Sequence, residues 1–195
     1  ICELIDVECT PWFRAPLDRP VRFLDLCTGS GCLGITLALS VAESTGVLAD
    51  LEAGACEVAQ ENVEFHQVGD RVEVIQSDGF NELFDERFDL IICNPPYVDA
   101  EDMAELPPEY QKEPAVALAS GEDGLDLVRR LLGQAADWLS DEGIMILEVG
   151  NTWGLLDREV VARTGEPVQW CQFEFGGHGV CVLSKRELNA LYSAF

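Results

Sequence analysis

The sequence predicts an α/β protein whose mostly parallel sheet is covered by helices on both faces. Three observations predict this fold: apolar runs of strand length alternate with helical segments for five rounds, a glycine-rich turn follows the first run, and two β-rich runs close the chain around GGHG. Parallel neighbours need a crossover connection, which is usually a helix, so this alternation favours parallel pairing.

The strands are predicted from short runs bounded by turn residues. Most are nearly continuous apolar runs, as expected for strands buried on both faces, whereas RVEVIQ alternates. The final runs, VQWCQFEF and VCVLS, flank GGHG and are predicted to form a closing antiparallel hairpin. The five predicted strands before the hairpin are residues 21–26, 46–51, 71–76, 87–93 and 143–150.

The helices are predicted from apolar residues that recur at helical spacing. The clearest case has Ala55, Val58, Ala59 and Val63 at positions i, i+3, i+4 and i+8. The four predicted helices are residues 31–44, 54–66, 123–139 and 152–164. A long irregular stretch rich in proline and acids runs to about residue 120, and we predict that residues 99–114 form a lid on the substrate side.

The charge balance bears on the class of partner. Twelve basic residues stand against 36 acidic ones, so the net charge is −24. Such a field repels phosphate backbones and attracts basic partners, so direct nucleic-acid binding is not expected. Two interpretations stay open: a solvated surface adapted to salt, or a surface shaped by a basic protein.

Several classes of feature are not expected. The longest apolar stretches are too short to span a bilayer, and the N-terminus lacks the basic start and apolar middle of a signal peptide. The eight cysteines include no C-x-x-C pair and only two histidines accompany them, so we expect no metal site. Unpaired cysteines in apolar segments are typical of a reducing cytoplasm.

The loop after the first strand indicates a nucleoside cofactor. Gly29, Gly31 and Gly34 match G-x-G-x-x-G, although a tight strand-to-helix turn needs glycine for steric reasons alone. Asp25 precedes this loop, and Asp50 ends the second strand, where an acid can accept hydrogen bonds from ribose hydroxyls.

The choice of cofactor depends on charge. A dinucleotide needs a helix N-terminus for its pyrophosphate, whereas S-adenosylmethionine has no phosphate and carries a positive sulfonium. An acid at position 25 suits the amino group of S-adenosylmethionine better than it suits a pyrophosphate. Asp78 follows the third strand and could accept from the adenine amino group, or it could be an ordinary turn or N-cap residue.

The tetrapeptide NPPY, residues 94–97, ends the fourth predicted strand. Its prolines cannot donate to a β-ladder, so acceptors dominate at this turn. The Asn94 side chain and the Pro95 carbonyl could hold both hydrogens of an NH₂ group, which would turn the nitrogen lone pair toward a sulfonium methyl. Tyr97 would shape the pocket or stack on the planar group.

With these motifs in place, the chain resembles the class I methyltransferases that modify glutamine side chains at N(5). The resemblance is carried by DLIICNPPYV and DLCTGSGC, and it continues through LPPEYQKEPAVALASGEDGLD, ILEVGN and FEFGGHGV over nearly all of residues 20–185. Cys27 stands where the branch acting on release factors has glycine, so the chain is most similar to the branch acting on the third protein of the large ribosomal subunit.

The resemblance implies a Rossmann-like fold, S-adenosylmethionine as cofactor, a basic ribosomal protein as substrate, and a place in the cytoplasm. It implies that residues 20–195 are the methyltransferase domain and that 1–19 are the remnant of a linker to a missing N-terminal helical domain. One departure is DLEA at residues 50–53, where the family expects D-x-S-P.

Site roles also follow from the resemblance. Asp50 would bind the ribose, Asp78 and Gly79 would border the adenine, and Asn94 would touch both the methionine moiety and the substrate. Pro95, Pro96 and Tyr97 would complete the glutamine pocket. The cofactor loop would consist of Cys27, Thr28, Gly29, Ser30 and Gly31.

Four other functions are compatible with parts of this sequence: glutamine methylation of a release factor, an amino-methyltransferase acting on a nucleic-acid base, a NAD-dependent oxidoreductase and an inactive partner subunit. NPPY has no obvious role in the last two, and the acidic charge disfavours nucleic acid.

Glu148 could line the substrate entrance or be solvated, and His178 is predicted as a turn residue. Packing roles are predicted for the tryptophans Trp12, Trp138, Trp153 and Trp170.

Overall fold

A computed structural model describes residues 1, 3–4, 20–84, 87–96, 123–173 and 178–192. Within these residues six strands form one sheet in the order β3-β2-β1-β4-β5-β6. Strands β1 to β5 pair in parallel, and β6 runs antiparallel to β5, which confirms the predicted α/β class. The strands are β1 (Arg22–Leu26), β2 (Thr45–Asp50), β3 (Val72–Gln76), β4 (Phe88–Cys93), β5 (Leu139–Glu148) and β6 (Val180–Ser184).

Helices cover both faces of the sheet, and the sheet separates two hydrophobic cores. Side chains alternate along β1, so Phe23 lies in the core beneath α1 and α2, whereas Leu24 and Leu26 lie in the core beneath the other three helices. No helix in the described part of the chain is long and apolar enough to cross a membrane. The helices are α1 (Cys32–Ser40), α2 (Ala53–Phe65), α3 (Asp126–Trp138), α4 (Trp153–Thr164) and α5 (Lys185–Tyr192).

The structure corrects some element bounds. Helix α1 ends at Ser40 because Val41 takes an extended conformation. Strand β5 begins directly after α3, with a register irregularity opposite residues 88–90. On α2, Val58 is exposed, so the buried stripe is Ala59 and Val63.

The C-terminal part closes the sheet as predicted, although with a different main partner. Strand β6 pairs with β5 over Glu148 to Ile144, whereas residues 168–173 contribute one isolated bridge, from Trp170 to Cys181. The antiparallel partner of β6 is therefore β5, and the predicted hairpin is reduced to this bridge within the described residues. Helix α5 follows β6 without a linker, and the sequence did not predict it.

The sheet topology positions the site. From β1 the chain builds outward to β2 and β3, then crosses over to β4 on the other side of β1. Ligands of open α/β sheets bind outside the carboxyl ends of the strands at such a reversal. The register pairs Leu26 with both Ala49 and Cys93, so Cys27, Asp50 and Asn94 follow at the same edge.

Candidate functional site

The loop after β1 has the backbone conformation that the glycine pattern predicts. Gly29 and Gly31 have φ angles of 56° and 81°. Cys27 also has a positive φ of 56°, which is uncommon for a residue with a side chain. The loop is fixed to β2, since Thr28 N donates to Ala49 O at 3.1 Å and Gly29 N donates to Asp50 Oδ2 at 2.9 Å.

Asp25 lies beneath this loop and stabilises it. Its Oδ2 accepts from Thr28 Oγ1 at 2.7 Å and from Gly34 N at 2.8 Å, and the residue is only 1% exposed. Burial raises the pKa of Asp25 to about 6, against the hydrogen bonds from Thr28 and Gly34, which lower it. Sequence reasoning placed this acid next to a cofactor amino group but did not anticipate its burial.

The start of α1 is therefore already bonded to an anion of the protein itself. Gly34 lies in the first turn, where backbone N–H groups otherwise have no partner within the helix. Gly34 is also required for packing, because a Cβ there would lie 2.2 Å from Leu48 Cδ2 and 3.0 Å from Asp25 Oδ2. The third glycine of the motif thus allows close contact between helix, strand and carboxylate.

Asp50 ends β2 and is half-buried. Its Oδ2 accepts from Gly29 N, and its Oδ1 accepts from Glu52 N at 3.0 Å. The carboxylate thus orients the loop after β1 and the turn that enters α2. Each carboxylate oxygen has two lone pairs, so further acceptor capacity remains for a ligand.

A cleft opens at the carboxyl ends of β1, β2 and β3, and α3 forms its other wall. Its lining is mostly apolar with a few polar groups, which is typical of a small-molecule site. Sequence reasoning missed the α3 wall, because no motif marks it. The only signal was the helical spacing of three of its residues, 127, 130 and 131. The lining residues are Leu26, Cys27, Ala49, Asp50, Leu51, Ser77, Asp78, Gly79, Leu127, Arg130 and Leu131.

Asp78 lines this cleft and also begins a turn, since its carbonyl accepts from Asn81 N at 3.3 Å. Its Oδ1 accepts a charged hydrogen bond from Arg130, and its backbone N–H donates to Glu82 Oε2 at 3.0 Å. The Arg130 hydrogen bond holds the pKa of Asp78 below its usual value, so the side chain is an anionic acceptor at neutral pH. Gly79 follows with a φ of 63°.

NPPY begins where β4 ends, on the opposite side of Cys27 from Asp50. Asn94 is exposed, Pro95 is buried and Pro96 is half-buried. Tyr97 and residues 99–114 lie outside the described residues, so their predicted roles in the pocket and as a lid stay predictions. Leu147 on β5 pairs with Cys93 on β4, so Glu148, which follows it, lies at the same edge of the sheet as Asn94.

The segment after β5 and the segment before β6 are hydrogen-bonded to each other at the carboxyl end of β5. Val149 N donates to Gly179 O at 2.8 Å, and His178 Nε2 lies 2.8 Å from Asn151 Oδ1. A Cβ on Gly179 would lie 2.3 Å from Gly150 O, so the two backbones touch. His178 thus has a structural partner.

The described tryptophans pack against other rings. Trp138 stacks on Phe80 with centroids 5.4 Å apart, and Trp153 contacts Trp170 edge-on at 5.7 Å. These contacts confirm the predicted packing roles, while Trp12 lies outside the described residues. No group of three or more His, Cys, Asp or Glu side chains in the described part of the chain is arranged to hold a metal ion.

Comparison with known proteins shows which proteins this chain resembles. The methyltransferase small domain model matches residues 13–107. The chain is 41% identical over its whole length to the ribosomal protein uL3 glutamine methyltransferase of Francisella tularensis subsp. tularensis, and it covers 61% of that protein. It is 46% identical to the protein of the same name from Bordetella pertussis, over 97% of the chain and 62% of that protein. The chain is therefore similar to methyltransferases along nearly its whole length.

The predicted resemblance to the ribosomal branch is thus confirmed, and the chain spans about three fifths of the length of these relatives. A solved structure agrees with the family's fold. The ribosomal protein L11 methylase from Lactobacillus delbrueckii subsp. bulgaricus superposes with a TM-score of 0.58 over 93% of this chain and 75% of that one, at 16% identity.

Proposed function

We propose that this chain is the S-adenosylmethionine-dependent methyltransferase domain of an enzyme that methylates the side-chain amide nitrogen of a glutamine in ribosomal protein uL3. The two curated relatives carry that name, and they match the chain from end to end. The geometry of the cleft and of the NPPY turn supports the same chemistry.

One observation carries the choice of cofactor: Asp25 Oδ2 already accepts from the backbone N–H of Gly34 in the first turn of α1. A pyrophosphate would have to approach this helix start against a buried carboxylate, which is unfavourable for two anions. S-adenosylmethionine has a positive sulfonium and no phosphate, so the acids at this edge favour it. The residues present therefore fit that cofactor.

Each neighbouring strand end contributes one part of the cofactor site. The loop of Cys27 to Gly31 would hold the methionine moiety, and the buried charge of Asp25 beneath it would favour the amino group. Asp50 would accept from the ribose hydroxyls. Asp78 and Gly79 would border the base, whose planar ring would pack against the apolar side chains that line the cleft.

The reaction would occur at the Asn94 end of the row. The bound cofactor supplies an electrophilic methyl group. Asn94 Oδ1 and the Pro95 carbonyl would accept the two amide hydrogens, turning the lone pair of the nitrogen toward that methyl. Positioning of this kind can contribute roughly 7–11 kcal/mol in well-oriented systems. The nitrogen would gain the methyl as the carbon–sulfur bond of the cofactor breaks, and it would then release a proton to solvent.

The charge supports the class of substrate. A protein of net charge −24 attracts a basic partner at long range, and ribosomal proteins are commonly basic because they bind RNA phosphates. We propose that the acidic surface guides such a substrate to the cleft.

The test is methyl transfer from tritiated S-adenosylmethionine to unmethylated uL3. The matched arms are uL3 with the target glutamine changed to alanine, a translation release factor, and single-stranded DNA. We expect label in uL3 that is lost with the glutamine, and little label elsewhere. Label in the release factor or in DNA with none in uL3 would overturn the proposed substrate, and no label in any arm would overturn the activity.

A further inference from the structure

The ion pair between Asp78 and Arg130 connects two walls of the cleft. Asp78 follows β3, Arg130 lies on α3, and both residues line the cleft. Leu127 and Leu131 line it from one face of α3, since they stand four residues apart, and Arg130, three residues after Leu127, lies beside them. The helix thus presents an apolar surface with one cation, and that cation is bonded to the acid opposite.

The pair contributes little to stability, so its position suggests another role. The side chains of Arg130 and Asp78 are 42% and 41% exposed, and ion pairs this exposed typically contribute below about 1 kcal/mol. The hydrogen bond from Arg130 occupies Oδ1 of Asp78 and fixes the direction of the carboxylate. Its other oxygen, Oδ2, is left to accept a hydrogen bond from a ligand. Arg130 also places a positive charge beside Asp78 in a chain of net charge −24.

We propose that Arg130 is a positioning residue that makes the cleft selective for a 6-aminopurine nucleoside. It holds Asp78 by Oδ1 so that Oδ2 faces the exocyclic amino group of the base. A carboxylate only accepts hydrogen bonds, so it pairs with an amino group and repels the carbonyl oxygen of a 6-oxopurine. This inference rests on the proposed function and assigns a residue outside the sequence motifs.

Calorimetric titration with S-adenosylhomocysteine and S-inosylhomocysteine tests the inference, because these ligands differ only at the N1–C6 edge of the purine, where an amino group is replaced by a carbonyl and N1 gains a hydrogen. We expect wild-type protein to bind the adenosyl compound at least about tenfold more tightly. Arg130→Met keeps the aliphatic stem but removes every donor, so it should lower adenosyl affinity about tenfold and leave inosyl affinity within about threefold. Arg130→Lys, which keeps a cationic donor, should retain most of the selectivity.

Two controls separate positioning from general effects. Arg158→Met makes the same charge change on the exposed face of α4 and should leave both affinities unchanged. In an Asp78→Asn background, Arg130→Met should have little further effect on the ratio of affinities, because the two residues act as one unit. Methyl transfer by Arg130→Met at saturating cofactor should keep its wild-type kcat, with only the KM for S-adenosylmethionine raised.

The outcomes distinguish this inference from the proposed function. Equal losses for both ligands in Arg130→Met, or an unchanged ratio of affinities, would overturn the positioning role and leave the methyltransferase proposal standing. Wild-type protein that binds the adenosyl compound no more tightly than the inosyl one would also overturn it. Binding of neither compound by wild-type protein would overturn the proposed function and this inference together.

Discussion

The loop after β1 and the turn after β4 lie side by side at one edge of the sheet, yet they are organised differently. The β1 loop is fixed from below by Asp25 and from the side by Asp50 and Asn62, whose Nδ2 donates to Ser30 O at 2.8 Å. At the β4 turn, Asn94 is exposed directly after a buried strand. The protein thus prearranges the cofactor side with its own hydrogen bonds and presents the reacting side to solvent.

The largest effect that this comparison predicts comes from the exposed side. Asn94→Ala removes the acceptor for one amide hydrogen, so turnover should fall about a hundredfold or more while thermal stability stays near wild type. Asn94→Asp should also be poor, because it adds a negative charge and loses an N–H donor.

Single-turnover methyl transfer at saturating substrate measures this loss, with circular-dichroism melts as the folding test. Asn189→Ala, an exposed asparagine on α5, is the matched control and should transfer normally. Near-wild-type transfer by a normally folded Asn94→Ala protein would show that NPPY does not orient the nucleophile.

The next effect concerns the prearranged side. Asp50→Ala removes both the proposed ribose acceptor and the acceptor of Gly29 N, so S-adenosylmethionine binding should weaken by about 1.5–3 kcal/mol. Calorimetry measures the change, and Asp70→Ala, which removes an exposed acid before β3, controls for charge. Unchanged affinity in Asp50→Ala would refute the ribose assignment.

A third prediction isolates Asp25 through the pH dependence of stability. Its folded pKa of about 6 lies above its ordinary 3.8, so the folded state binds this proton more tightly. The free energy of unfolding should therefore fall by roughly 2 kcal/mol as pH rises from 4 to 7, a term that Asp25→Asn lacks.

Urea unfolding of wild type and Asp25→Asn across this range measures the difference between them. The carboxylates common to both proteins cancel in this comparison. A difference that stays constant from pH 4 to pH 7 would mean that Asp25 is not buried as described.

The smallest expected effect concerns the acidic surface of the protein and not the cleft. If the acidic field guides a basic substrate, the association rate with uL3 should fall several-fold between low and physiological salt, because ions screen the attraction. Stopped-flow fluorescence measures the rate, and circular dichroism over the same salt series checks the fold. Rates that do not change with salt would leave only the interpretation of a solvated acidic surface.

The sequence predicted the parts of this molecule that short-range patterns encode. Buried apolar runs located β1, β2, β4 and β5, since a strand covered on both faces needs them, and alternation located β3. The strand-end acids indicated the ligand edge. Helix α5 was missed because KRELNALY is short and follows a strand without a turn signal. Arg130 was missed because its partner Asp78 is 52 residues away and no local pattern records that contact.

The burial of Asp25 could not be predicted for a related reason. A strand-end acid is usually solvated, and what encloses this one is the close approach of Gly34 and Leu48, which only the packed structure provides. The same glycine that suggested a ligand loop in fact admits a carboxylate of the protein to the start of α1.

The reversal of strand order at β1 also determines when the site can assemble during synthesis. The cleft needs β1, the end of β3 and helix α3, so residues from 26 to 131 must have left the ribosome before it can close. Strand β1 must also stay unpaired on one side until β4 arrives, some 65 residues later, and such long-range pairing is intrinsically slow. The nascent chain therefore exposes one edge of an apolar strand until β4 has emerged, and exposed edges of this kind are prone to aggregation and are protected by chaperones.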